Sequence, residues 1–430
     1  MQYDILIRGA RLHRHEDLVD IAVKDGLFMR IRANLDAAQA ARVIEAEGRL
    51  VSEPFIDAHV HLDAVLTVGQ PRYNASGTLL EGIQIWGERK GSLTVEDVKR
   101  RALEEIRWEV AQGTLYIRSH VDVCDPNLTA LRALLEVREE VRDICELQLV
   151  AFPQDGIFSF PEGPQLMRRA MELGCDIVGG IPHHEWTRDM GVEDVHYVFE
   201  LAKEFNRDID CHCDETDDPH SRFTEVMAAD TMKQNWHGRV TTSHCTAMHS
   251  YDNAYAFKLM GLLKRAQMHV IANPFDNVVL QGRFDTYPKR RGITRVKELL
   301  ANGVNVALGH DSIMDPWFPL GRGDMLAAAQ LALFLCHMSG YEEINDVLDL
   351  ITSNGAKALR IEDRYGIEEG KPADFLLLDA PSAFEALRLL PPCLYVFKGG
   401  REVARTTPGQ SYVRRASEEE AQAVTFRPLA

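Results

Sequence analysis

Short apolar segments alternate with helical segments between about residue 55 and residue 311, at steps of roughly 30 residues. This spacing is typical of repeated β-α units on a parallel sheet. The pattern predicts strands at Phe55–His61, Leu115–Val123, Glu146–Gln154, Asp176–Pro182, Asp208–Glu215, Val240–Cys245, His269–Pro274 and Asn305–Asp311. Eight parallel strands close naturally into a (β/α)₈ barrel of the TIM type, and we expect that fold.

The longer first gap, of about 60 residues, holds a predicted helix that starts at Thr94 with a capping box to Asp97 and ends near Gly113. The two ends of the chain instead show short alternating strands broken by turns such as Lys24-Asp25-Gly26 and Gly399-Gly400. We therefore predict a small β-sandwich domain built from residues 1–52 and 365–430, and a barrel domain from residues 53–364.

The composition of the chain argues against two classes of binding partner, nucleic acids and membranes. The chain has 48 Lys and Arg against 65 Asp and Glu, a formal net charge of −17, which disfavours nucleic acid and anionic membrane surfaces. No apolar run approaches the roughly 18 residues of a membrane span. Eight cysteines without a Cys-x-x-Cys pair predict reduced thiols and a cytoplasmic protein.

Polar residues cluster at the carboxyl ends of the predicted strands, where barrel active sites lie. His59 and His61 are two residues apart, so both side chains point to one face of the first strand. His212 ends the fifth strand and Asp311 ends the eighth. A closed barrel brings these ends around one axis, and three imidazoles with one carboxylate suit zinc or iron(II).

Three further residues near these strand ends are candidates for handling protons or substrate. Glu215 could reach a water in the site as a general acid or base, although it could also be a solvated loop carboxylate. His244 is interpreted as a proton shuttle rather than a core histidine because it ends the sixth strand. The Gln154 amide suits a lactam edge, and a purely structural hydrogen bond is an equal alternative.

Several segments together resemble the amidohydrolase superfamily, and within it the bacterial cytosine deaminases. They are Phe55–Asp63, Val150–Gln154, His212–Glu215, Leu280–Val296 and Gly309–Asp311 with Asp315-Pro316-Trp317. The similarity spans nearly the whole chain. It implies a barrel with a small β-sandwich from both termini, and hydrolytic deamination of a cytosine-like pyrimidine.

The resemblance also implies roles for individual residues. One divalent metal, Fe²⁺ or Zn²⁺, would be held by His59, His61, His212 and Asp311. One metal is favoured over two because the fourth strand has no lysine to bridge a pair. The implied catalytic residues are Glu215, His244 and Asp311, and the implied substrate-binding residues are Gln154, Ser312, Met314, Trp317, Leu79, Phe152 and His184.

Three positions depart from that family. Ser312 replaces a second Asp after the ligand Asp311, and two aromatic pocket positions are His184 and Met314. A short Ser312 and a flexible Met314 should leave more space and less fixed polarity near the ring. This favours a cytosine with an extra group, with 5-methylcytosine first.

Other functions remain compatible with the same residues. One alternative is hydrolysis of another cyclic amidine, such as isoguanine, creatinine or an aminotriazine. Another is a catalytically silent barrel that serves as a scaffold, because a fold does not fix a function. The resemblance also suggests a homo-oligomer that acts on a small-molecule pyrimidine, with no nucleic-acid or membrane partner.

Overall fold

The computed structural model describes residues 2–417, 420–424 and 426 of the chain. The chain forms two compact units. One combines Met1–Glu53 with Ile367–Ala430, and the other spans Pro54–Gly366.

The first unit begins with β1 (Tyr3–Leu12), β2 (Leu18–Lys24), β3 (Leu27–Arg32), β4 (Ala40–Glu45) and β5 (Leu50–Ser52). The hairpin between β2 and β3 turns through Asp25 and Gly26, whose φ angles are 51° and 79°. A two-residue Asp-Gly turn of this hand matches the twist of its flanking strands. The turn predicted at this position is therefore confirmed.

The second unit is built on eight parallel strands: β6 (Phe55–Val60), β7 (Thr114–Asp122), β8 (Glu146–Phe152), β9 (Ile177–Val178), β10 (Asp208–Cys213), β11 (Val240–His244), β12 (His269–Ala272) and β13 (Asn305–Leu308). They lie side by side in chain order. The backbone N–H of His61 donates to the Asp311 carbonyl at 3.0 Å, and that of Asp311 donates to the His59 carbonyl at 2.8 Å. These two bonds join the last strand to the first, and the predicted (β/α)₈ barrel is confirmed.

The fourth barrel strand is shorter than its predicted range. β9 has two residues, but the backbone N–H of Gly179 still donates to the Ala151 carbonyl at 2.9 Å. A Cβ on Gly179 would lie 2.5 Å from that same oxygen. Only glycine permits this close approach, so the pairing continues past the end of the regular strand.

The helices of this unit are α1 (Leu79–Lys90), α2 (Val95–Ala111), α3 (Thr129–Val141), α4 (Gly163–Leu173), α5 (Arg188–Phe205), α6 (Phe223–Gln234), α7 (Asn253–Ala266), α8 (Pro274–Leu280), α9 (Val296–Ala301), α10 (Met325–Leu335), α11 (Tyr341–Val347) and α12 (Ser353–Leu359). The Thr94 hydroxyl accepts a hydrogen bond from the backbone N–H of Asp97 at 3.2 Å, as the predicted cap at this helix start requires. Within the described ranges, every helix is too short or too polar to cross a bilayer.

The C-terminal part of the chain completes the first unit with β14 (Phe375–Leu378), α13 (Ala383–Leu389), β15 (Cys393–Lys398), β16 (Arg401–Arg405), β17 (Ser411–Val413) and β18 (Gln422–Val424). One sheet runs in the order β16-β15-β14-β5-β1-β2-β3, with β4 also paired to β1. Phe28, Phe375 and Phe397 pack in its core, and the rings of Phe375 and Phe397 stack at 4.6 Å. Strands from both chain ends therefore share a sheet, as predicted.

Three acidic side chains are buried between the first barrel strand and a covering helix. Asp57 lies on β6, and Glu105 and Glu109 lie on α2, all with 0% exposure. Neither carboxyl oxygen of Glu105 or Glu109 has a hydrogen-bond partner. Burial raises the pKa of Glu105 to about 8, with a further contribution from Asp57, and burial raises the pKa of Asp57 to about 7. The folded state therefore favours the protonated acids.

Replacing Glu105 by Gln should make the folded protein less sensitive to alkali. The folded pKa of about 8 lies above the ordinary 4.5, so Glu105 lowers the stability of the wild type progressively as the pH rises from 4.5 through 8. Glu105→Gln cannot ionise and should gain about 1 to 3 °C in Tm relative to wild type between about pH 6 and about pH 9. Differential scanning fluorimetry measures this difference. Glu96→Gln, at an exposed position on the same helix, is the matched control.

The prediction is that the Tm difference between Glu105→Gln and wild type changes with pH. A Tm difference between Glu105→Gln and wild type that is the same at both pH values would show that Glu105 does not titrate differently on folding.

Candidate active site

Four side chains converge at the carboxyl end of the barrel. His59 lies on β6 and His61 directly follows that strand, His212 lies on β10, and Asp311 follows β13. One ligand atom of each lies within 4.8 Å of all the others. The Nε2 atoms of His61 and His212 are 3.1 Å apart. Asp311 Oδ1 lies 3.4 Å from His59 Nε2 and 3.5 Å from His61 Nε2. The structure thus brings together the four predicted metal ligands.

Several atoms of this cluster lack the hydrogen-bond partners that buried polar groups need. Neither ring nitrogen of His59 has a hydrogen-bond partner, nor does Asp311 Oδ2, and both residues are buried. Burial, reinforced by neighbouring charges, lowers the pKa of His59 and His212 well below the ordinary range, so both rings are neutral with free lone pairs. Neutral imidazoles and a carboxylate are the donor set of a divalent metal, and the residues present fit one.

A second group of possible ligands lies below the first. His120 stacks on His59 with ring centroids 3.9 Å apart, and Asp210 completes a group with both histidines. Asp210 is already occupied, however, since Arg118 Nη1 donates to it at 2.8 Å and Ser243 Oγ at 2.7 Å. This supports one metal rather than two.

Two residues at the strand ends have left-handed backbone conformations. The φ angles of His244 and Asp311 are 70° and 72°. A residue with a Cβ pays roughly 1 to 2 kcal/mol for this conformation, which clusters at functional sites where the surrounding structure enforces it. Here it accompanies the change of direction at the strand end.

Glu215 and His244 lie beside the cluster. His244 Nδ1 is 3.7 Å from Glu215 Oε1 and 3.6 Å from Asp311 Oδ2. The Asn277 side-chain amide also lies 3.0 Å from His244 Nδ1 and orients the ring. Burial, with the nearby Asp276 carboxyl, raises the pKa of Glu215 well above its ordinary range. A protonated carboxyl and a neutral imidazole suit general acid and base roles.

These groups line a small cavity at the carboxyl end of the barrel. Four predicted substrate-binding residues line it: Leu79, Gln154, Ser312 and Trp317. His184 lies further out, on a wider cavity that shares Leu79, Gln154 and Glu215 with the inner one. The site is therefore a small inner chamber that adjoins a wider cavity.

Phe152 and Met314 are absent from the residues that line these two cavities in the described structure. Phe152 stacks on the ring of His212 at a centroid distance of 3.9 Å and so supports a ligand from behind. Met314 is half-buried, and its backbone N–H donates to the Leu320 carbonyl at 2.9 Å.

Sequence reasoning missed Asp276, which lines the inner cavity. Ser312 Oγ donates a hydrogen bond to Asp276 Oδ2 at 3.1 Å. The expectation that Ser312 leaves less fixed polarity is therefore corrected, because a carboxyl group from α8 lies against its hydroxyl. The signal was present, since Asp276 follows the predicted strand His269–Pro274 by two residues. Asn277, which contacts His244, was also missed, although it is the next residue along the chain.

The fold and the site define a (β/α)₈-barrel enzyme with a candidate site for a divalent metal at the carboxyl ends of its strands. Three comparisons with known proteins agree with this class. The sequence model of the Amidohydrolase family matches residues 42–404. The structure of a 5-methylcytosine deaminase from Klebsiella pneumoniae, liganded with 5-fluorocytosine, aligns with a TM-score of 0.92 and 46% identity, and the alignment covers 96% of this chain and 100% of that chain.

Two curated relatives are more distant. N-isopropylammelide isopropyl amidohydrolase of Pseudomonas sp. (strain ADP) is 31% identical over 94% of this chain and 98% of its own length. Pterin deaminase of Rhizobium rhizogenes is 28% identical over 90% of this chain and 88% of its own length. The chain belongs to the amidohydrolase family, and it is a hydrolase that acts on carbon–nitrogen bonds.

Metal analysis tests the ligand cluster. Protein loaded with Fe²⁺ or Zn²⁺ should retain about one equivalent per chain, and His212→Ala or Asp311→Ala should weaken retention by at least about tenfold. Inductively coupled plasma mass spectrometry after dialysis measures the content. His196→Ala, with a side chain that is 52% exposed, is the control. Full retention in Asp311→Ala would remove Asp311 from the ligand set.

Proposed function

We propose that this chain catalyses the hydrolytic deamination of a cytosine-like pyrimidine base, with 5-methylcytosine as the preferred substrate. One water is consumed at C4 and one ammonia is released, so that 5-methylcytosine gives thymine and cytosine gives uracil. The observation that carries the proposal is the Glu215–His244 pair beside the four-ligand cluster in one small chamber. The Klebsiella pneumoniae relative supports the pyrimidine.

His59, His61, His212 and Asp311 would hold the metal. When bound, a divalent metal of this kind lowers the pKa of a coordinated water and so provides a nucleophile near neutral pH. The donor set suits Fe²⁺ and Zn²⁺ alike, and both belong to the proposal.

The proton steps fall to Glu215 and His244. His244 lies within 4 Å of both Asp311 and Glu215, where it can accept a proton from the attacking water. Glu215 would protonate ring N3, which makes C4 more electrophilic and neutralises the ring as the tetrahedral carbon forms. A proton then reaches the exocyclic nitrogen, because ammonia leaves readily and an amide-like anion does not.

The walls of the chamber orient the ring. The buried Gln154 side chain offers one donor and one acceptor to the N1–O2 edge of the pyrimidine. Leu79 and Trp317 supply apolar walls for the ring faces. Ser312, shorter than an aspartate, leaves room for a group on C5.

A second candidate is hydrolysis of an amino-substituted triazine, which the 31% identical Pseudomonas relative favours. Both candidates use the same metal site and release a nitrogen from a six-membered ring. Only the chamber and its approach distinguish the substrates, so a panel of compounds decides between them.

The substrate panel has a definite expected order. Metal-replete enzyme should release ammonia from 5-methylcytosine at least as fast as from cytosine, and faster than from isoguanine, creatinine or an aminotriazine. Coupled measurement of ammonia gives kcat/KM for each compound. If both pyrimidines are inert in protein that holds metal, the proposed substrate is wrong.

Glu215→Gln should reduce kcat by about 10² or more, because the amide cannot donate a proton to N3. The metal content should be unchanged, since Glu215 is not one of the four clustered ligands. Asp218→Asn, at an exposed acid three residues further along the same loop, should keep near-normal kcat. Near-normal turnover of Glu215→Gln would refute the acid role.

A further inference from the structure

Asp276 is a buried acid of the inner chamber without a role in the proposed proton steps. It lies in the first turn of α8, its side chain is 3% exposed, and it lines the same chamber as Gln154 and Glu215. A buried carboxyl group is costly unless it is paired, so its presence in the chamber calls for a partner.

The two carboxyl oxygens of Asp276 differ in their hydrogen bonding. Oδ2 accepts the hydrogen bond from Ser312 Oγ at 3.1 Å, which fixes the orientation of the carboxyl group. Oδ1 is buried and has no hydrogen-bond partner. The side chain of Asp276 also contacts that of the ligand Asp311. Oδ1, which no N–H or O–H group of the protein reaches, is the acceptor that Asp276 can offer to a ligand in the chamber.

The position of Asp276 places this acceptor near the carbon that would be attacked. Its partner Ser312 directly follows Asp311, so the carboxyl group lies at the wall where the ligand cluster meets the chamber. The carbon that undergoes attack must approach that wall. In the proposed pose Gln154 binds the opposite edge of the ring and Glu215 binds N3, which leaves the exocyclic amine facing Asp276.

We infer that Asp276 accepts a hydrogen bond from the exocyclic amino group and so selects amino-substituted rings over their oxo products. The inference rests on the proposed function. An amine buried in the chamber needs an acceptor for its N–H groups. The product has a carbonyl oxygen at this position, which faces a carboxyl acceptor unfavourably and is therefore expelled.

The same contact accounts for the substitution at Ser312. A carboxyl group that comes from α8, rather than from the residue after Asp311, reaches the amine while the short Ser312 side chain leaves space beside C5. Polarity near the amine and room for a 5-substituent are thus provided by different elements.

The test uses metal-loaded Asp276→Ala and the isosteric Asp276→Asn, with 5-methylcytosine as substrate and thymine as product inhibitor. We expect kcat/KM to fall about 10- to 100-fold in Asp276→Ala, the effect of leaving a buried amine N–H without its acceptor. The inhibition constant of thymine divided by the Michaelis constant of the substrate should fall about fivefold or more in both variants. A purely structural role would leave this ratio unchanged.

Two further variants serve as a control and as a test of rescue. Asp194→Asn removes a carboxyl group that is equally buried but lies outside both described cavities, and it should retain the wild-type ratio. Asp276→Ala combined with Ser312→Asp returns a carboxyl group beside Asp311, and it should restore activity on cytosine more than on 5-methylcytosine.

The outcomes separate this inference from the proposed function. Unchanged kcat/KM and an unchanged ratio in Asp276→Ala, with an active wild type, overturn the inference alone. A fall in activity that follows metal loss with an unchanged ratio also overturns it, since Asp276 then acts through Asp311. A wild type that is inactive on both pyrimidines overturns the proposed function and this contact with it.

Discussion

Closure of the barrel is the constraint on which the site depends. The backbone of Asp311 exchanges hydrogen bonds with His59 and His61, so the contact that joins the last strand to the first also places three of the four clustered ligands side by side. His212, from the opposite half of the barrel, completes the group because parallel strands present their carboxyl ends to one face. A distortion of this seam would disturb fold and site together.

The protonation states of the chamber side chains also depend on the fold, because the fold buries them. Glu215, Asp276 and Asp311 are all buried, and burial raises the pKa of each carboxyl group well above its ordinary range. The neighbouring histidines are kept neutral by burial. Such a chamber places several carboxyl groups and imidazoles close together, and a divalent cation and an amino-bearing ring are ligands that these groups can bind. The fold maintains groups that would be more stable in water.

Much of this could be predicted from the sequence because it is local. The eight strands follow from the spacing of apolar segments, and the start of α2 follows from Thr94 and Asp97. His59 and His61 share a face because a strand repeats every two residues. The extent of β9 could not be predicted, since it depends on how closely Gly179 approaches the neighbouring strand.

The sequence by itself determined the element order, the residue types at the strand ends and the chemistry that those types allow. Tertiary structure decided which of them meet. Ser312 and Asp276 are 36 residues apart and belong to different strand-helix units, yet their side chains form one hydrogen bond in the chamber. Phe152 supports His212, and Met314 lies away from both cavities, for reasons of packing between segments. Contacts between distant segments depend on barrel curvature and side-chain packing, which local spacing does not encode.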